Sequence, residues 1–155
     1  MTSSTDRIEK TMLLKAPQER VWRALTNAEE FGAWFGATLK GQSFAVGQRV
    51  RGPISVSNCG HEHVMFDAVV ERIEPQALFS FHWHPYAVDP AIDYAKETPT
   101  LVVFRLKEAE GGTLLSVVES GFDNIPPSRR DLAFRMNNGG WDGQIRNIEK
   151  YVTTP

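Results

Sequence analysis

Four histidines and one glutamate carry most of the chemistry that this sequence could perform. His61 and His63 alternate, and so do His82 and His84. Imidazoles two residues apart project from one face of a strand, and with a nearby carboxylate they suit zinc or copper. If residues 62–74 and 78–85 form a hairpin about the E-P-Q-A turn at 74–77, His84 falls opposite Asp67 and the four histidines share a face. The opposite face then holds Val64, Phe66, Ala68, Val70, Phe79, Phe81 and Trp83. That face is almost wholly apolar and must be the buried one. The histidines are therefore expected on the solvent side, with no metal and no other cofactor.

A second hairpin, about A-E-G-G at 109–112, pairs residue 102 with 119 and 104 with 117. Glu119 then shares an inward face with Val102, Phe104, Leu106, Leu115 and Val117. An acid on such a face can hydrogen-bond a ligand or act as a general base. Its bland reading is a strand-end carboxylate, solvated or paired with Lys10. Glu119 is the best catalytic candidate, and no fuller catalytic set is legible. If its charge is simply buried, Glu119→Leu should leave the fold neutral or more stable. There is no G-x-S-x-G elbow, no P-loop and no G-x-G-x-x-G turn. Cys59 with His61 is too loose a pair to argue for a nucleophile.

These side chains need elements to hold them. In 7–15, Ile8, Met12 and Leu14 share one face of a strand with Lys10. Pro17 opens a helix with an apolar stripe of Val21, Trp22, Ala24 and Leu25. Asn27 followed by Glu30 predicts a new N-cap and a second short helix carrying Phe31, Trp34 and Phe35. Strands are expected at 37–43, 48–57, 62–74, 78–85, 100–108 and 113–121. The 86–99 loop is long enough for a functional lid. Residues 127–152 read as one long helix, with Ser128 and Asp131 as its capping pattern. Phe134, Asn137, Trp141, Ile145, Ile148 and Val152 fall on one face, and Leu132 and Met136 point elsewhere. Gly139, Gly140 and Gly143 each cost a helix about 1 kcal/mol against alanine, so the helix bends there or something approaches its backbone.

The expected architecture is α+β. A seven-stranded curved antiparallel sheet wraps around a long C-terminal helix, with two short helices between strands 1 and 2. A disordered tail at 1–6 and one domain at 7–153 account for the chain. The 155 residues carry a net charge of −2 and are 41% hydrophobic. That balance offers nothing to nucleic acid. No run is long enough for membrane insertion. The M-T-S-S-T-D-R opening lacks the pattern of a signal peptide, and one cysteine cannot make an internal disulfide. The expected location is cytoplasmic.

The order of motifs adds a family to this reading. A-P-Q-E-R-V-W at 16–22, E-F-G-A-W-F at 30–35, E-R-I-E-P at 71–75, F-H-W-H-P-Y at 81–86, V-E-S-G-F at 118–122 and G-G-W at 139–141 span nearly the whole chain. In that order they resemble the START-like superfamily, also called SRPBCC, and within it the Aha-type homologues of the activator of the 90-kDa heat-shock-protein ATPase. The resemblance implies a helix-grip fold with a hydrophobic cavity. The expected function is binding of a small hydrophobic or aromatic molecule between sheet and helix. The ligand-binding candidates are Trp34, Phe35, Phe66, Phe81, Trp83, Tyr86, Phe104, Glu119, Asn137 and Trp141. Two alternatives stay open: a cyclase- or hydrolase-like enzyme using the same pocket, and an interaction domain with a chaperone as partner.

Overall fold

The computed structural model describes residues 6–54, 65–85 and 91–153. The chain runs β1 (Arg7–Leu14), α1 (Gln18–Thr26), α2 (Ala28–Phe35), β2 (Arg49–Pro53), β3 (Met65–Glu74), β4 (Leu78–Trp83), β5 (Thr100–Ala109), β6 (Gly112–Ser120) and α3 (Pro127–Thr153). The six strands form one antiparallel sheet in the order β1-β6-β5-β4-β3-β2. The chain's last strand therefore takes its first strand as its outer neighbour. His61, His63, Cys59, Val64 and Tyr86, together with residues 1–5, lie outside the described residues.

Among the described residues the sheet has six strands where the sequence predicts seven. The expected strand at 37–43 reduces to a single bridge, Ala37 to Ile54. Gly36 ends α2 in the left-handed conformation at φ 100°, and Gly41 turns the chain again at φ 78°. Too little extended backbone remains between them for a ladder. A side chain takes its place. The Gln42 amide donates to the Arg51 carbonyl at 2.5 Å and accepts from the Arg51 N–H at 3.1 Å, as a neighbouring strand would. Leu39 from this segment is buried against the Gly52 position, where a Cβ would lie 2.0 Å from the Thr38 carbonyl oxygen.

The two predicted hairpins form. Across β5–β6, Val102 pairs with Glu119 and Phe104 with Val117, as expected. Across β3–β4 the expected register holds for Ala68–Trp83 and Val70–Phe81, but it shifts by one residue nearer the turn. The shift is a bulge at Glu71. A bulge lets one strand keep an extra residue and changes which side chains face inward beyond it. It brings Ile73 opposite Phe79 and onto the core.

Helix ends follow local chemistry. The Asn27 side chain caps α2 by accepting the Glu30 N–H at 3.0 Å. The Glu30 carboxylate does not complete the capping box. It pairs with Arg20 at 2.7 Å and Arg23 at 2.9 Å, and it accepts the Tyr151 hydroxyl at 3.1 Å, so it joins α1, α2 and α3. The start of α3 differs from the expected Ser128–Asp131 cap. Pro127 is its first residue, and the Pro126 carbonyl accepts the N–H groups of Arg129 and Arg130. Proline suits that position because its missing N–H would have no helical partner there.

α3 lays Ala133, Trp141, Ile145, Ile148 and Val152 against the sheet's concave face. Leu132 and Met136 remain exposed, as the periodicity predicts. Phe31 of α2 centres the aromatic core, within 4.8–6.4 Å of the rings of Trp34, Phe35, Phe44, Phe66, Phe81 and Phe104.

Candidate functional site

Glu119 lies near the end of β6, between Val102 of β5 and Ile8 of β1. Strand alternation turns it toward α3, and it is fully buried. Four donors converge on it. Trp83 Nε1 at 2.7 Å and Thr100 Oγ1 at 2.5 Å donate to Oε2. Asn137 Nδ2 at 2.9 Å and Trp141 Nε1 at 2.8 Å donate to Oε1. An ionised carboxylate is acceptor-only, with about four lone-pair sites, so the coordination is complete. Two donors come from the sheet and two from α3, which makes the carboxylate a joint between the layers. Lys10 is not its partner, because its ammonium reaches Asp142 of α3 at 3.1 Å.

Glu119, Trp83, Asn137 and Trp141 are among the residues expected from the sequence to bind a ligand, and Thr100 is not. The signal was present, since alternation places residue 100 on the same face of β5 as Val102 and Phe104.

Beside this joint is a cavity of about 120 Å³ lined by Phe35, Trp83, Asn137, Gly140, Trp141 and Gln144. Phe35, Trp83 and Trp141 give it three aromatic walls. One Asn137 N–H is engaged by Glu119, and no donor among the described residues bonds its amide oxygen. The other predicted ligand residues sit elsewhere. Phe66, Phe81 and Phe104 are buried in the aromatic core, and Trp34 packs on Phe31 and donates its indole N–H to the Ala24 carbonyl at 2.8 Å. None of these four lines the 120 Å³ cavity.

Two larger clefts lie at the surface. One, of about 770 Å³, runs over the outer face of β3 and β4 beneath the 91–99 segment. It contains His82 and His84, so these histidines do face away from α3. Arg49, Asp67 and Glu97 in it are already paired. Arg49 holds Asp67 through two bonds of 2.8 and 2.6 Å, and Glu97 is clamped by Arg129 at 2.6 Å. Those Arg49 bonds hold the Asp67 carboxyl below its usual range. Burial pushes the His84 imidazole below its usual value. His82 approaches only Glu71, at 3.8 Å. The other cleft, of about 850 Å³, follows Arg20, Arg23, Lys150 and Tyr151. The smaller cavity lies where α2, β4 and α3 meet.

The arrangement decides what the site can do. Glu119 cannot accept a substrate proton without losing one of its donors. The cavity beside it offers aromatic faces, one amide oxygen and a buried charge.

A family model described as Activator of Hsp90 ATPase homolog 1-like protein matches residues 15–153. The chain belongs to this family. Among solved structures, a protein from Mesorhizobium loti is similar at 27% identity, with 96% of this chain and 99% of that one covered and a TM-score of 0.70. A Mycobacterium smegmatis protein is 18% identical over 97% of this chain and 93% of that one, with a TM-score of 0.71. The Aha1 dimer from Colwellia psychrerythraea is 16% identical over 94% and 95%, with a TM-score of 0.65. No curated protein matches the sequence. The family and these neighbours place the fold in the START-like helix-grip superfamily. No helix among the described residues is long and apolar enough to cross a membrane.

Proposed function

We propose that this protein binds a small hydrophobic or aromatic molecule in the cavity between the sheet and α3. The observation that carries this reading is the cavity of about 120 Å³ walled by Phe35, Trp83 and Trp141, with the Asn137 and Gln144 amides at its rim. Ligand pockets place a few polar groups in a mainly apolar wall. An apolar cavity of about 150 Å³ holds benzene, so the space suits one small ring or branched group. A longer ligand would insert only its end. Gly140 lies on this wall and is exposed, and no atom stands within 4 Å of where its Cβ would be. That marks the side from which a ligand enters.

The test is native mass spectrometry of the purified protein for a co-purified small molecule, followed by thermal shift with the molecule found. Binding to the folded state raises the melting temperature with ligand concentration. Gly140→Leu should fill the entrance and abolish the shift. An unchanged shift in that variant would place the ligand elsewhere.

The family match favours a second reading, contact with a 90-kDa chaperone. A pull-down with that chaperone and a measurement of its ATPase rate test it, and Gly140→Leu should leave both unaffected.

A further inference from the structure

We propose that the cavity takes a small cation, the alkylammonium head of its ligand. This rests on the reading of the cavity as a ligand site and adds the charge of what enters.

The first observation is an unbalanced charge. Glu97, Asp67 and Glu30 each meet an arginine: Glu97 has Arg129, Asp67 has Arg49, and Glu30 has Arg20 and Arg23. Glu119 is more buried than any of them and has no ion-pair partner among the described residues. Lys10, one strand away, is engaged by Asp142. Four neutral donors satisfy the lone pairs of Glu119 but bring no net charge. In a weakly polarisable interior the remaining field reaches further than it would in water.

The second observation is the wall. The Phe35, Trp83 and Trp141 rings stand 5.7–6.4 Å apart between centroids and tilt 35–61° to one another around the cavity. Aromatic faces carry the negative side of a quadrupole, and sets of them bind quaternary ammonium groups.

The third observation concerns donors. Both indole N–H groups are spent on Glu119, and the Asn137 and Gln144 amides each use one N–H, on Glu119 and on the Phe35 carbonyl at 2.9 Å. Each amide keeps a second N–H, but no cationic side chain lines the cavity. A carboxylate or phosphate would meet the like charge of Glu119 with no cation to offset it, whereas a cation meets the Asn137 oxygen and π faces.

Three probes of nearly one shape separate charge from fit: tetramethylammonium, tert-butyl alcohol and pivalate. Each of them, and benzene as an uncharged ring, is titrated into the intact protein at constant ionic strength while the four tryptophan indole N–H resonances are followed by NMR. The expected result is a saturable shift of the Trp83 and Trp141 signals by tetramethylammonium, with Trp22 unmoved. Its affinity should exceed that of tert-butyl alcohol about tenfold or more, and pivalate should have no effect. Phe35→Leu, which removes one aromatic wall and leaves the carboxylate, should weaken the cation several-fold more than the alcohol. Equal affinities, tighter pivalate, or binding of the alcohol or benzene without the cation overturns the charge inference while the cavity reading stands. No indole shift with any of these probes, benzene included, overturns both, as does a tetramethylammonium shift shared equally by Trp22.

Discussion

Replacing Glu119 with leucine removes the acceptor of Trp83, Asn137 and Trp141 and leaves Thr100 only the Trp83 carbonyl at 3.5 Å. Each such orphan costs about 1–3 kcal/mol. The geometry thus reverses the sequence expectation that leucine is neutral or stabilising. Glu119→Leu should destabilise by about 3 kcal/mol or more, measured from denaturant midpoints, and Glu119→Gln should lose less because one acceptor remains. His84 and Asp67 set the acid response. Burial lowers the folded-state pKa of His84, and the Arg49 hydrogen bonds lower that of Asp67. A group with a depressed folded value stabilises fully above its unfolded value and loses that contribution as pH falls through the folded one. The two windows therefore open downward from about 6.5 for His84 and about 3.9 for Asp67. Melting temperature should fall as pH drops from neutrality into the first window. His84→Asn should flatten that segment and keep the steeper acid limb.

At the scale of elements, α3 carries three glycines that nothing crowds. No atom lies within 4 Å of the Cβ position at Gly139, Gly140 or Gly143, so the close approach considered from the sequence does not occur. Gly139→Ala and Gly143→Ala should each stabilise by about 0.5–1 kcal/mol through helix propensity. Gly140→Ala should do so too while weakening the ligand, since only this glycine lines the cavity. Arg129 ties the 91–99 segment to α3. Arg129 clamps the nearly buried Glu97, donates to the Pro85 carbonyl at 2.9 Å and stacks over Tyr94 at 4.7 Å. Arg129→Met strands the Glu97 charge and should cost about 3 kcal/mol. Limited proteolysis should then cut near residues 91–99 in the variant before it cuts the native protein.

Across the whole molecule, α2 packs on the sheet through Phe31, whose ring contacts join its own helix, the Phe44 loop and strands β3, β4 and β5. Phe31→Ala should cost about 3–5 kcal/mol, read by thermal and chemical denaturation, and should be among the most damaging single truncations. The two layers then meet through apolar packing at the Ile145–Val152 end of α3 and through the Glu119 hydrogen bonds near Asn137 and Trp141. The cavity lies beside that polar joint, where large indole rings held by hydrogen bonds fill the volume less closely than aliphatic side chains would.

Much of this was legible in the sequence because it depends on local periods. Alternation placed Glu119, Val102 and Phe104 on one inward face and His82 and His84 on the other. The Asn27–Glu30 spacing marked the start of α2, and the helical period chose the face with Trp141 and Ile145. The missing seventh strand was not legible, because the Gln42 side chain takes the strand's hydrogen bonds from across space. The bulge at Glu71 was hidden for a related reason: Pro75–Ala77 set one register and the apolar face of Trp83 and Phe81 another, and only the packed sheet reconciles them. The partners of Glu119 and the size of the cavity come from four separate elements. Sequence alone determined which residues face inward, because that follows from chain geometry over a few residues. Tertiary structure decided which of them touch and how much space they leave, because those depend on distances between segments far apart in the chain.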